Sequence, residues 1–438
     1  MNFPGKTFFF TIFIALFISV SAASWAQDDT EFDFPFSDEM PVSKDGAVLK
    51  AARMALKHHP VQLLNRPHTI NILPLAFFDV NRGVSLGARF VLQSSEYSPY
   101  KYRLSGQILS SFRGNHSHLV EFDYPDIYKH FGLRVRAQWR RDLRAKYFGL
   151  GNESQKEKSV TDEKSENFIS EDFYVYKLKN PQLHIHATRF ILNDLYFWAG
   201  IGLESTTPLR GADPTQSFLT VDKPFGYRGG WGAHLSFKLL FDNRNDDFFP
   251  DKGFFTELSF EPNWARVNHQ QISDLQYVVR GVTFHRFTLS DEHYVEIGRT
   301  GIIFANRLAF ETIVGNPPYY AFREISDFRR TGSLGGDSSM RGFENGRFHD
   351  KVRMMTFSEL RYTYREFEFV SQRFRLIFTG FFDNGRVWPR LSDVVFRGFH
   401  HSFGAGAWLN WNDNLALRFD IGRSREGFTQ YLRLHTAF

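Results

Sequence analysis

The chain has 438 residues, with 53 Lys and Arg against 48 Asp and Glu, and its charge of +5 is spread thinly along its length. No basic block interleaved with aromatics occurs, which excludes a nucleic-acid binder, and the lack of cysteine excludes disulfides and thiolate metal sites. Aromatics reach 17% with 50 Phe, at a mean hydropathy of −0.35, and beyond the first segment no long apolar run exists to build a multi-helix membrane protein.

In chain order, Lys6, the apolar stretch Phe8 to Val20 and the small-x-small site Ser24-Trp25-Ala26 read as a signal peptide over residues 1–26. The apolar stretch falls short of the roughly 20 residues that span a bilayer. No cysteine follows it to carry a lipid anchor. Residues 27–68 read as a short periplasmic tail, acidic and irregular at first. Gly46 to His58 has helix-forming composition, with Val48, Leu49, Ala52 and Leu56 on one face.

From Thr69 the pattern has period two, and 69–438 reads as a transmembrane β-barrel. In Phe131 to Arg140, Phe131, Leu133, Val135, Ala137 and Trp139 alternate with Gly132, Arg134, Arg136, Gln138 and Arg140. Successive strand side chains face opposite sides, so one face suits lipid and the other a polar lumen. Leu415 to Gly422 repeats the pattern. Turn signals divide this region into about 16 strands, an even number as in single-chain bacterial barrels. Three of the expected strands are 253–262, 273–288 and 293–311. An even count puts both ends in the periplasm. The long connections 149–170, 206–227, 263–272, 312–351 and 389–400 then fall outside, and short ones such as Asn412-Asp413 inside. The expected fold class is therefore all-β, an antiparallel transmembrane barrel in the outer membrane of a Gram-negative bacterium.

Several motifs occur in order along this region. Leu334 to Phe343 carries Arg341-Gly342-Phe343, Phe381 to Trp388 carries an aromatic-x-Asp-x-Gly pattern with Asp383 and Gly385, and Ser358-Glu359-Leu360-Arg361 lies on the strand between. Asp242-Asn243-Arg244 is followed by Pro250 and Gly253, and Tyr147 to Asn152 precedes a long loop. Together they resemble the outer-membrane insertase and bacterial surface antigen superfamily. The terminal Phe438, with Leu432 and Leu434 on its face, resembles the assembly signal of outer-membrane barrels, although Thr436 stands where an aromatic is common.

The resemblance implies a barrel that moves or inserts polypeptides, with a weak seam between its first and last strands and a loop folded into its lumen. Arg341 lies in a loop too long for a simple connector. A guanidinium pairs best with carboxylates in bidentate geometry, and Glu359 and Asp383 lie on the next two strands. Asp383 shares parity with Arg375 and Thr379, which turns it to the lumen. Spacing alone serves a surface arginine equally well; the resemblance implies a lid whose Arg341 binds Asp383 and Glu359. Pro74 removes a ladder donor from the first strand, as a weak edge or an ordinary barrel irregularity would.

The superfamily's insertases and transporters carry polypeptide-transport-associated domains before the barrel, and here only residues 27–68 stand in that place. Three functions remain open: a protein or lipid-associated transport or assembly barrel working with a separate periplasmic partner or an unfolded polypeptide client, a passive or gated pore, and a structural surface antigen. Outer-membrane lipid and lipopolysaccharide are the expected surroundings. No Gly-x-Ser-x-Gly, Gly-x-Gly-x-x-Gly or phosphate loop occurs, and Ser338 and Ser339 have no paired histidine, so neither an enzyme nor a cofactor is expected. His184 and His186 share a strand face but make too few ligands for a metal, and the pairs His58-His59 and His400-His401 suggest no role.

Overall fold

The computed structural model describes residues 59–63, 65–79, 83–94, 100–192, 194–209, 217–246, 249–273, 276–328, 330–369, 372–411 and 415–436. The signal peptide, the tail helix and Phe438 lie outside them. One antiparallel sheet holds every strand among the described residues. In chain order these are β1 (His59–Leu63), β2 (Arg66–Asp79), β3 (Gly83–Ser94), β4 (Arg103–Ser111), β5 (His116–Tyr128), β6 (Phe131–Lys146), β7 (Val175–Leu192), β8 (Leu195–Leu209) and β9 (Gly230–Asp242). There follow β10 (Gly253–Ser273), β11 (Gln276–Glu296), β12 (Ile302–Gly315), β13 (Val352–Phe369), β14 (Gln372–Trp388), β15 (His400–Trp411), β16 (Leu415–Ser424) and β17 (Gly427–Thr436). A short helix, α1 (Phe218–Asp222), sits in one loop.

From β2 to β17 each strand pairs with its neighbour in sequence, and the strand order places β17 beside β2, as a barrel requires. β1 is a short addition that folds back on the first residues of β2, His59 opposite Ile70 and Leu63 opposite Arg66. Strand pairing thus starts ten residues before Thr69.

The wall is inside-out relative to a soluble protein. Along β10, Glu257, Ser259, Glu261 and Asn263 are buried, while Leu258 and Trp264 are about half exposed. Ile108, Val120, Ile201, Phe287, Phe382 and Phe403 are likewise exposed on their strands. Burying polar groups and exposing large apolar ones is unfavourable in water. It is the favourable arrangement when hydrocarbon surrounds a polar lumen. On β6 the lumenal arginines find partners, Arg134 Nε lying 3.1 Å from Asp123 and Arg136 Nε 3.7 Å from Glu121.

Three expectations need correction. The tail does not reach residue 68, because β1 and the start of β2 place 59–63 and 66–68 in the sheet and raise the described strands to 17. Residues 263–272 are not a loop: β10 continues through them, paired with β11 as far as Ser273 and Gln276. Nor does a turn fall near 289–292, because β11 runs on to Glu296 and the turn lies at 297–301. The polar runs Asn268 to Gln271 and Ser290 to Glu292 resemble turns. Ser290 and Glu292, however, are lumenal and buried, and register shifts between Asn268 and Gln270 and between Gln271 and Ser273 keep the ladder going. β6, β8, β12 and β14, which the long connections follow, all end on one rim.

Candidate functional site

The connection 316–351 folds back between the strands and acts as a lid. It leaves β12 through a 3-10 turn, Tyr319–Phe322, whose four buried residues pack with Tyr147, Tyr176, Leu219 and Phe284. The chain then reaches the wall of β9 to β12. The Ser326 amide donates to Glu311 Oε1 at 2.8 Å, and its carbonyl accepts from Lys238 Nζ at 2.6 Å and Ser259 Oγ at 3.0 Å. Glu311 is fully buried and also takes Nη2 of Arg286 at 2.9 Å and Nε of Arg353 at 2.7 Å. A carboxylate can stay ionised there because its lone pairs are met by donors from two strands and the lid. Arg330 ends this stretch beside His184, His234 and Glu261.

From Thr331 the lid crosses to the opposite wall, and its tip carries the predicted motif. Arg341 grips Asp383 with two fingers, Nε to Oδ2 at 2.8 Å and Nη2 to Oδ1 at 2.7 Å, while its amide donates to Oδ2 at 3.1 Å. Its Nη1 donates to Glu359 Oε2 at 2.7 Å, and the guanidinium lies 3.5 Å from the centre of the Phe381 ring. Arg418 also donates to Glu359 Oε2 and Arg361 to its Oε1, and Arg418 and Arg433 bind Asp420. The clamp is thus one corner of a buried network on β13, β14, β16 and β17.

Glycine makes this approach fit. Gly342 has φ +96°, a conformation that side chains disfavour. A Cβ on Gly385 would lie 2.6 Å from Met340 Sδ and 2.7 Å from a Leu334 methyl. Met340, Leu334, Phe343 and Phe348 form one apolar cluster with Ile325, Met355 and Val387. The tip also holds the last strands: Ser424 Oγ donates to the Gly342 carbonyl at 2.6 Å, and Tyr431 Oη donates to the Phe343 carbonyl at 2.8 Å.

The returning chain is tied to the loop 147–174. Glu344 pairs with Lys146 and Lys156, and Arg347 donates to Glu426 at 2.7 Å and to the Ser154 carbonyl at 2.7 Å. Burial disfavours the charge on Glu344, but the two ammonium groups outweigh it and hold the carboxyl below its usual range. His400, for which the sequence suggested no role, stacks on Phe348 at 3.9 Å and meets the Asn152 carbonyl at 2.9 Å.

Under the lid lies a cavity of 1520 Å³, lined by Arg134, Arg140, Trp198, Phe328, Arg418 and Arg433 among others. At its far end is the connection between β9 and β10, represented by Asp242, Arg244 and Pro250. Arg244 donates to both oxygens of Asp242, at 2.8 and 2.7 Å, and Gly253, at φ +98°, closes the turn. Pro250 lines the cavity, and its neighbour Phe249 reaches across the barrel to Trp408, ring centres 5.4 Å apart. Sequence reading found the turn but not this contact, because nothing local couples Phe249 to β15.

A profile described as the Omp85 superfamily domain matches residues 128–427. No curated protein matches the chain. Among solved structures, BamA from Haemophilus ducreyi lacking POTRA domains 1-3 is similar with a TM-score of 0.53 at 13% identity, over 89% of this chain and 78% of that one. CdiB from Acinetobacter baumannii aligns over 96% of this chain and 71% of that one, at 9% identity and a TM-score of 0.47. At 13% identity the first likeness is one of fold.

Proposed function

Because the chain belongs to the Omp85 superfamily and folds as a Gram-negative outer-membrane β-barrel, we propose that it assists the transport or assembly of polypeptides in that membrane. The observation that carries this reading is the Arg341 clamp. It ties the lid tip to Asp383 and Glu359 on the wall that ends in β17, the strand beside β2. A lid fixed there braces the last strands. Released, it frees both the lumen and that wall, and an unpaired strand edge can template an incoming strand through backbone hydrogen bonds.

In this proposal residues 1–26 are a signal peptide, and 27–58 are the periplasmic tail that meets a separate soluble partner or an unfolded client. The barrel makes and breaks no bonds. Its Phe-rich outer face meets lipid and lipopolysaccharide. Depletion of the protein followed by an inventory of outer-membrane and secreted polypeptides tests the role. Loss of a defined set is expected, and normal levels of every such polypeptide would overturn it. A gated pore is the second reading, favoured by the cavity that the lid closes. Conductance that rises on removing 316–351, with no change in that inventory, would select it.

A further inference from the structure

We propose that the base of the lid is an acid-sensitive clasp, in which Arg330 is released when His184 and His234 take up protons. Nη2 of Arg330 lies 2.9 Å from Nε2 of His184 and 3.0 Å from Nε2 of His234, and Nη1 lies 3.3 Å from Oε2 of Glu261. A guanidinium has donors and no acceptor. Both Nε2 atoms must therefore present lone pairs, and the two rings are neutral while the lid is closed. A protonated ring would turn a donor and a positive charge toward Arg330.

The wall is shaped for this contact. The rings come from β7 and β9, with centres 5.4 Å apart, and β8 between them has Gly202 at the meeting point. A Cβ there would lie 2.2 Å from the His234 ring and 2.8 Å from that of His184. Arg330 has φ +52°, in the left-handed region a long side chain seldom adopts, so contacts rather than local preference hold it.

The other charged groups around the clasp are Arg134 and Arg136 on β6, His186 on β7, Glu204 on β8, Lys238 on β9, Arg286 on β11, and Glu324 and Asp327 of the lid. On release, an imidazolium takes the place of the guanidinium beside Glu261, so that carboxylate is not left without a cation. The tip clamp has only carboxylates as its acceptors. Within the lid, burial beside Arg353 holds the His349 ring well below its usual value, and its partners, Ser333 Oγ and the Phe322 carbonyl, belong to the lid itself, so it moves with the lid and is not part of the clasp.

The sign and size follow from linkage. A closed state that requires neutral rings is fully favoured above the ordinary imidazole value near 6.5 and loses ground as pH falls through it. Each ring then shifts the balance toward release by roughly thirtyfold between pH 7.5 and 5.0. The inference needs only that the lid moves, whatever the barrel carries.

The chain has no cysteine, so two introduced ones can be spin-labelled cleanly. Gly332 is suited, since a Cβ there meets only Ser338 Oγ at 3.5 Å, and Asn167 in the outer loop is exposed. In the full-length barrel carrying Gly332→Cys and Asn167→Cys, one narrow distance is expected at pH 7.5. A second, longer population should grow toward pH 5.0. Adding His184→Gln and His234→Gln, which keep an acceptor without titrating, should abolish the second population. An unchanged distribution between the two pH values, or an equal shift in the glutamine variant, overturns the proposal. Arg330→Gln should show the longer distance already at pH 7.5, and its absence there also overturns the proposal. The distances report lid position alone, so a failure to affect any client bears on the proposed function and not on the clasp.

Discussion

The tip and the base of the lid are each pinned by an arginine, but in different company. At the tip, Arg341 meets two carboxylates and an aromatic ring; at the base, Arg330 meets two imidazoles and one carboxylate. A pair of full charges, desolvated and geometrically matched, is costly to break because each partner left behind stays charged and buried. A guanidinium on neutral rings is held by weaker bonds that depend on protonation. The tip thus sets whether the lid is closed at all, and the base sets how easily it starts to move. The two sites also hold different walls, β13 to β17 against β7 to β12, so the lid spans the lumen as a brace.

The largest effect should come from Arg341→Ala, which strands Asp383 and takes one of three arginines from Glu359. A loss of about 3–5 kcal/mol is expected in urea unfolding of the detergent-solubilised barrel. Arg341→Lys should recover only part of it, because an ammonium cannot reproduce the two-finger grip. A loss no greater than that of Arg330→Ala would erase the distinction between tip and base. Next, Gly385→Ala should cost about 1–3 kcal/mol by overpacking against Met340 and Leu334. Combining it with Met340→Ala should restore part of that stability, since contacting residues are not additive.

Tyr431→Phe removes one hydroxyl that bonds the Gly342 amide and the Phe343 carbonyl, for about 1–2 kcal/mol. If it left stability untouched, the hold of the tip on β17 would be incidental. The smallest effect belongs to Glu344→Gln at the partly exposed outer end, about 0.5 kcal/mol at neutral pH. Because its carboxyl is held below the usual range, that contribution should be present above about pH 4.5 and fade as pH falls further. Wild-type and variant unfolding curves should then converge at low pH.

Tip and base also differ in how far sequence reveals them. The barrel itself was legible because lipid on one side and water on the other impose period two, as in Phe131 to Arg140. The tip was legible because Arg341, Gly342 and Phe343 are contiguous and their partners lie on the next two strands. Whether the lid folded inward rested on resemblance, since spacing suits a surface arginine as well. The base left no local pattern: His184, His234 and Glu261 come from three strands and meet only when the sheet closes around the lid. Gly200 and Gly202, two lumenal glycines on one strand, were the signal available, since missing side chains in a wall imply that something larger fills the space. The extensions of β10 and β11 were missed because polar residues mark turns in soluble sheets, whereas in a barrel they also mark the lumen.

The most direct test of the lid clamp is a double-mutant cycle on Arg341→Gln and Asp383→Asn, read from urea unfolding of the full-length barrel. A coupling of roughly 2–3 kcal/mol is expected if the guanidinium and carboxylate meet in the buried lumen. Additive losses, with coupling below about 0.5 kcal/mol, would mean that Arg341 points elsewhere and that the lid is not held by this pair.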